Sequence, residues 1–167
     1  MTTGLDLVNR ESDEQAAEHL RACNASPRWI EQVLAGRPYQ DVDTLLDTAE
    51  RAARALDWAE VRTALDAHPR IGERAEGKST EAQWSRREQS AVGTSTAATQ
   101  DALRAGNAAY ERRFGHVFLI RAAGRSAEEM AAELDRRLAN DDDSEHAEVT
   151  EQLAQITRLR VQSLLAG

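Results

Sequence analysis

Apolar positions recur along most of this chain at the three- and four-residue spacing that lines one face of an α-helix. Capping signals mark where these stretches start. Ser12-x-x-Gln15 resembles a capping box and opens a helix to about Cys23. Ser26 caps the next, with Pro27 at its first position, Ile30, Val33 and Leu34 on one face, and an end near Gly36. Asp41 or Asp43 starts a third, with Leu45, Leu46, Ala49, Ala52 and Ala53 inward. Asp57-x-x-Glu60 restarts a short helix through Val61 and Leu65, which His68-Pro69 stops. A polar loop over 70–78 follows. Ser79 or Thr80 then caps a helix through Trp84 and Glu88, broken at Gly93. One of Thr94 to Thr96 caps a long helix carrying Leu103, Ala109 and Tyr110 to Phe114-Gly115.

The pattern changes once. Val117-Phe118-Leu119-Ile120 is short, apolar and flanked by Gly115 and Gly124, which fits either a strand or an extended buried segment. Ser126-x-x-Glu129 then boxes a helix through Met130, Leu134 and Leu138. Asn140 to Asp143 reads as an acidic loop, and Ser144 as the cap of a last helix with Leu153, Ile156, Leu159 and Leu164. There is no internal repeat or linker. The prediction is an all-α, single-domain bundle over residues 1–167, with about seven or eight helices and one short extended apolar segment.

Composition agrees: Ala, Glu, Arg, Leu and Gln dominate, and aromatics make up only 4% of the chain. The formal net charge of −8 excludes a general nucleic-acid binder but leaves room for an anionic small molecule held by a local arginine. No apolar run is long enough to span a membrane. The first residues show no signal peptide, and Leu164-Leu165-Ala166-Gly167 is no peroxisomal address. A lone Cys23, read as a small buried hydrophobe, leads us to expect a reducing cytoplasm.

Histidine is the side chain suited to proton traffic near neutrality. Of the four, His19 reads as a surface or core-edge residue, His146 as a salt-bridged surface residue and His116 as a turn residue. His68 precedes Pro69, which biases it out of the α region. It is either a plain helix stop or an imidazole projecting from a fixed corner. Ser85, Glu88 and Gln89 stand at i, i+3 and i+4 and share one helical face. That face is either solvated surface or a site. A carboxylate can orient an imidazole, and a hydroxyl and an amide can hold a polar planar ligand. Metal-ligand spacings and glycine-rich phosphate loops are missing from the sequence, so neither a metal nor a nucleotide cofactor is expected.

Composition and periodicity reach a helical domain with a His/Glu site and no further. The ordered blocks go on. Asn24-Ala25-Ser26-Pro27-Arg28-Trp29 with Arg37-Pro38-Tyr39 is followed by His68-Pro69-Arg70-Ile71-Gly72 and Ser85-x-x-Glu88-Gln89. Then come Asn107-x-x-Tyr110-Glu111-x-x-Phe114-Gly115-His116-Val117-Phe118-Leu119-Ile120 and Ile156-Thr157-Arg158-Leu159-Arg160. This series resembles the 2-oxo-4-hydroxy-4-carboxy-5-ureidoimidazoline (OHCU) decarboxylase family of urate breakdown, from about Glu14 to Leu165.

The resemblance implies a cofactor-independent carboxy-lyase that forms (S)-allantoin, and often a homodimer. It implies catalytic roles for His68 and Glu88. It implies substrate contacts from Pro69, Ser85, Gln89, main-chain groups of Phe118, Leu119 and Ile120, and Arg160, with no metal. One departure is visible. A common form of the apolar stretch reads Phe-Gly-Phe-Pro-Phe-Val-Ile, whereas this chain has His116 and Val117 at the third and fourth places. Two rival readings are a non-enzymatic helical interaction domain and a metal-dependent hydrolase using His68, Glu88 and His116.

Overall fold

The computed structural model describes residues 4–72, 77 and 79–166. Residues 73–76 and 78 of the expected polar loop, the first three residues and residue 167 lie outside the described residues. Ten α-helices form among the described residues, and no strand does. The all-α expectation holds, and the apolar stretch at 117–120 is extended chain rather than a strand. Among the described residues, no helix is long and apolar enough to cross a membrane.

Most helix starts lie where their caps put them, because a cap is a local hydrogen bond. The Ser12, Ser26, Asp41, Ser79, Thr96 and Ser126 side chains each accept an N–H of the first turn of α2 (Asp13–Cys23), α3 (Pro27–Ala35), α4 (Val42–Arg54), α6 (Thr80–Glu88), α8 (Ala97–Phe114) and α9 (Ala127–Leu138). α5 (Trp58–Leu65) starts beneath Asp57, whose Oδ1 takes the Glu60 N–H at 3.0 Å. Two short helices are unforeseen, α1 (Gly4–Asn9) and α7 (Ser90–Gly93). The acidic loop is shorter than expected. α10 (Asp142–Ala166) already contains Asp142 and Asp143, and Asp141 rather than Ser144 does the capping, accepting the Ser144 N–H at 2.7 Å. Carboxylates at a helix N-terminus meet its positive dipole end, which favours helix there over loop.

The chain forms two compact units, one built of residues up to Ala64 and from Leu153 on, the other of Leu65–Gln152. In the first, Leu20, Trp29, Val33, Leu45, Ala49 and Ala53 are buried, and Trp29 Nε1–H donates to the Ala49 carbonyl at 2.9 Å, tying α3 to α4. Buried Asn24 donates to Thr157 Oγ1 at 3.1 Å and accepts from the Ser26 N–H, so the first and last of the ordered blocks meet. Asn9 clasps the backbone of Tyr39, accepting its N–H at 2.7 Å and donating to its carbonyl at 2.9 Å.

In the second unit Leu103, Tyr110, Phe118, Ile120, Met130 and Leu134 form the middle of one apolar cluster. α8 and α9 pack along each other so closely that a Cβ on Gly106 would lie 2.4 Å from Leu134 Cδ2. α8 ends at Gly115, whose φ of 79° is a left-handed conformation that glycine adopts without strain.

Candidate active site

The corner after α5 is built by the chain's inability to continue a helix through Pro69. The His68 N–H makes the last turn, to the Leu65 carbonyl at 3.0 Å, and His68 and Pro69 are half-buried. The three residues that follow are each tied from another part of the unit. Arg70 Nε donates to both carboxylate oxygens of Glu111, at 2.8 and 3.0 Å. The Asn107 amide donates to the Ile71 carbonyl at 2.6 Å. The Gly72 N–H donates to Gln89 Oε1 at 3.0 Å, and Gly72 has a φ of 95°. The His-Pro block is therefore latched by the Ser-Glu-Gln block and by the Asn-Tyr-Glu block. Sequence adjacency alone could not show this.

On α6, Ser85 is buried, while Glu88 and the helix's C-terminal cap Gln89 are half-buried, so the triplet is no solvated stripe. A cavity of about 260 Å³ is lined by Gly72, Ser85, Gln89, Val92 and Gln100, among others. A second, of about 350 Å³, shares Gly72, Val92 and Gln100 with it and reaches Arg70, Asn107 and Glu111. Ser85 and Gln89 thus meet at one cavity wall. His68 and Pro69 stand just before the Gly72 that lines both cavities, and Glu88 stands between the lining residues Arg86 and Gln89, but none of these three lines either cavity.

Phe118, Leu119 and Ile120 are all buried. The Leu119 carbonyl accepts Arg137 Nη1–H at 2.6 Å, and the Arg137 guanidinium lies 4.6 Å from the centroid of the Phe118 ring. Arg137 also makes a forked pair with Glu145, at 3.1 and 3.0 Å from Nε, and both side chains are essentially inaccessible, at 1% and 0%. The Tyr110 hydroxyl donates to the same carboxylate, and Asn140 adds a third donor at 3.1 Å. Burial, reinforced by the Glu145 carboxylate, pushes the Tyr110 phenol far above its usual value. None of the N–H groups of Phe118, Leu119 and Ile120 finds an acceptor among the described residues.

His116 stands in the bend that follows α8. It is buried, with its ring edge-on to Tyr110 at 5.4 Å, so an imidazole packs where the common family form has a phenyl ring. Its Nδ1 lies 3.0 Å from the Val117 carbonyl, which can only accept, so Nδ1 carries the proton. His146 is half-buried with its ring 6.4 Å from that of His116, and His19 meets Glu11 at 3.1 Å. Arg160 belongs to the other unit, where it is buried and donates to the Ala22 carbonyl at 3.3 Å.

Sequence reading passed over Arg137 and Glu145. A signal was there. Met130, Leu134 and Arg137 fall on one helical stripe, as do Glu145, Val149 and Leu153, and a charge in an apolar stripe on each of two successive helices is a buried pair in waiting.

Comparison with known proteins is consistent along the chain. A family model described as OHCU decarboxylase matches residues 9–162. A 2-oxo-4-hydroxy-4-carboxy-5-ureidoimidazoline decarboxylase of Haloferax volcanii is 26% identical over 159 residues, 94% of this chain and 93% of that protein. The uric acid degradation bifunctional protein TTL of Arabidopsis thaliana is 29% identical over 160 residues, 92% of this chain but 48% of that longer protein. Among solved structures, an OHCU decarboxylase crystallised in the presence of (S)-allantoin shares the fold with a TM-score of 0.75 at 23% identity, covering 94% of this chain and all of that one. An (S)-allantoin synthase gives 0.71 at 17%, covering 98% of this chain and 54% of that one.

Proposed function

Because this chain belongs to the OHCU decarboxylase family, we propose that it is a cofactor-independent carboxy-lyase converting 2-oxo-4-hydroxy-4-carboxy-5-ureidoimidazoline to (S)-allantoin. The observation that carries the reading is the latch: Gln89, from the polar triplet, grips the backbone of the His68–Gly72 corner at the wall of a small cavity.

The chemistry suits these residues. The substrate has a carboxylate and a hydroxyl on one ring carbon, beside a ring C=N. When the bond to CO₂ breaks, its electron pair flows toward that C=N, so the substrate is its own electron sink. His68 takes the hydroxyl proton, which lets the carbon become a carbonyl. Glu88 orients the imidazole and raises its basicity. Ser85 and the Gln89 amide hold the ring's polar edge, Pro69 keeps the corner rigid, and main-chain groups of Phe118, Leu119 and Ile120 meet developing charge. A proton delivered to one face of the neighbouring carbon sets the (S) configuration.

The test uses substrate made fresh from urate by urate oxidase and hydroxyisourate hydrolase. Circular dichroism then follows chiral allantoin. The wild-type chain should accelerate its appearance, and His68→Asn or Glu88→Ala should cut kcat by about 10²-fold or more. A wild-type protein that gives no acceleration sinks the reading, and an unimpaired His68 variant removes His68 from the mechanism. A cytoplasmic location, in keeping with a single buried cysteine, and a homodimer go with this reading. Light scattering on the purified chain measures the second.

A further inference from the structure

Two fully buried opposite charges are an expensive way to fill space. Removing both from water is costly, and apolar side chains of similar volume pack such a site as well or better. The inward positions just before Arg137 on α9 show the alternative, since Met130 and Leu134 are both buried there. Something other than packing accounts for the Arg137–Glu145 pair.

What no apolar side chain could do is hold the Leu119 carbonyl. Glu145 takes Nε and Nη2 of the guanidinium and fixes its plane, which leaves Nη1 for Leu119. The peptide between Leu119 and Ile120 is trans, so its C=O and N–H point in opposite directions. A carbonyl pinned toward Arg137 therefore aims the Ile120 N–H away from it. That N–H belongs to a residue only 2% exposed, and it meets no acceptor among the described residues. A buried, oriented, unspent donor asks for a ligand.

We infer that Arg137 is a positioning residue: through the Leu119 carbonyl it presents the Ile120 N–H as a hydrogen-bond donor to the oxygen-rich ureide substrate. The inference rests on the decarboxylase reading and extends it to a residue that touches no substrate. Glu145 holds the guanidinium in its plane.

Three variants separate positioning from mere support. Arg137→Met with Glu145→Leu removes the pair together, leaving no stranded charge. Its melting temperature should fall only by what the stranded Tyr110 hydroxyl costs, about 5 °C, while kcat/KM should fall about 10-fold or more. Tyr110→Phe should lower stability by a similar amount while holding kcat/KM within about twofold. Arg137→Lys keeps Glu145 paired but loses the fork, and should fall between wild type and the double variant in kcat/KM. If the double variant fails to fold, the lysine variant decides. In amide NMR spectra, added (S)-allantoin should shift the Ile120 resonance of the wild type and leave it unmoved in whichever Arg137 variant folds.

A folded Arg137 variant with wild-type kcat/KM, or a wild-type Ile120 amide indifferent to (S)-allantoin, overturns the inference while the decarboxylase reading stands. A wild type that turns over no substrate overturns both.

Discussion

Tyr110 shows how much one side chain can be asked to do. Its ring packs edge-on against Phe118 and His116, and its hydroxyl donates to a carboxylate sealed from water. Burial first, and then the Glu145 hydrogen bond, hold its pKa far above the ordinary value of 10.0. The sign follows directly. A group whose pKa is raised on folding stabilises the fold fully below its unfolded pKa and loses that contribution as pH rises past it. The protein should therefore lose stability progressively above about pH 10, and Tyr110→Phe should flatten that alkaline slope while costing about 1–2 kcal/mol at pH 8. Urea denaturation at pH 8, 10 and 11 measures both. From sequence, Tyr110 was visible as a helix position within an ordered block, and Asn107 and Glu111 only as members of that block. Their jobs, gripping Glu145, Ile71 and Arg70, depend on partners 35, 36 and 41 residues away, and no local pattern encodes those pairings.

Elements were far easier to read than their pairings. A helix start is written in one side chain and the N–H three residues on, so Ser12, Ser26 and Ser126 announced themselves, and Asp41, Ser79 and Thr96 each stood among two or three neighbouring candidates. Short α1 and α7 did not, because four to six residues carry too little periodicity. The packing of α8 on α9 hinges on Gly106, a residue that sequence reading treats as a helix weakness. Alanine there gains about 1 kcal/mol of helix propensity. It also drives a Cβ to 2.4 Å from Leu134 Cδ2 and 3.0 Å from its Cγ, inside a filled core. Overpacking of this kind costs about 1–3 kcal/mol, so Gly106→Ala should be neutral to destabilising, against the propensity scale. Thermal unfolding gives the answer, and a rise in melting temperature would contradict the packing seen here.

At the scale of the whole molecule, charge was legible at once and partition was not. With 29 acidic and 21 Lys and Arg side chains, the protein passes through zero charge near pH 5.1. Solubility should be lowest near that pH and recover by pH 7, which light scattering across the range would show. The two compact units could not be read from the sequence, because α10 runs on past Gln152 with no break in pattern while its residues change allegiance. The unit of residues 65–152 is continuous in the chain, and the other is not. During synthesis from the N-terminus, residues 65–152 have all been joined to the chain before Leu153 is added. The earlier-made helices α1 to α4 must wait for the last turns of α10, with Thr157 still to reach Asn24. The part of the chain made first is completed last, and until then its apolar faces depend on time rather than on packing.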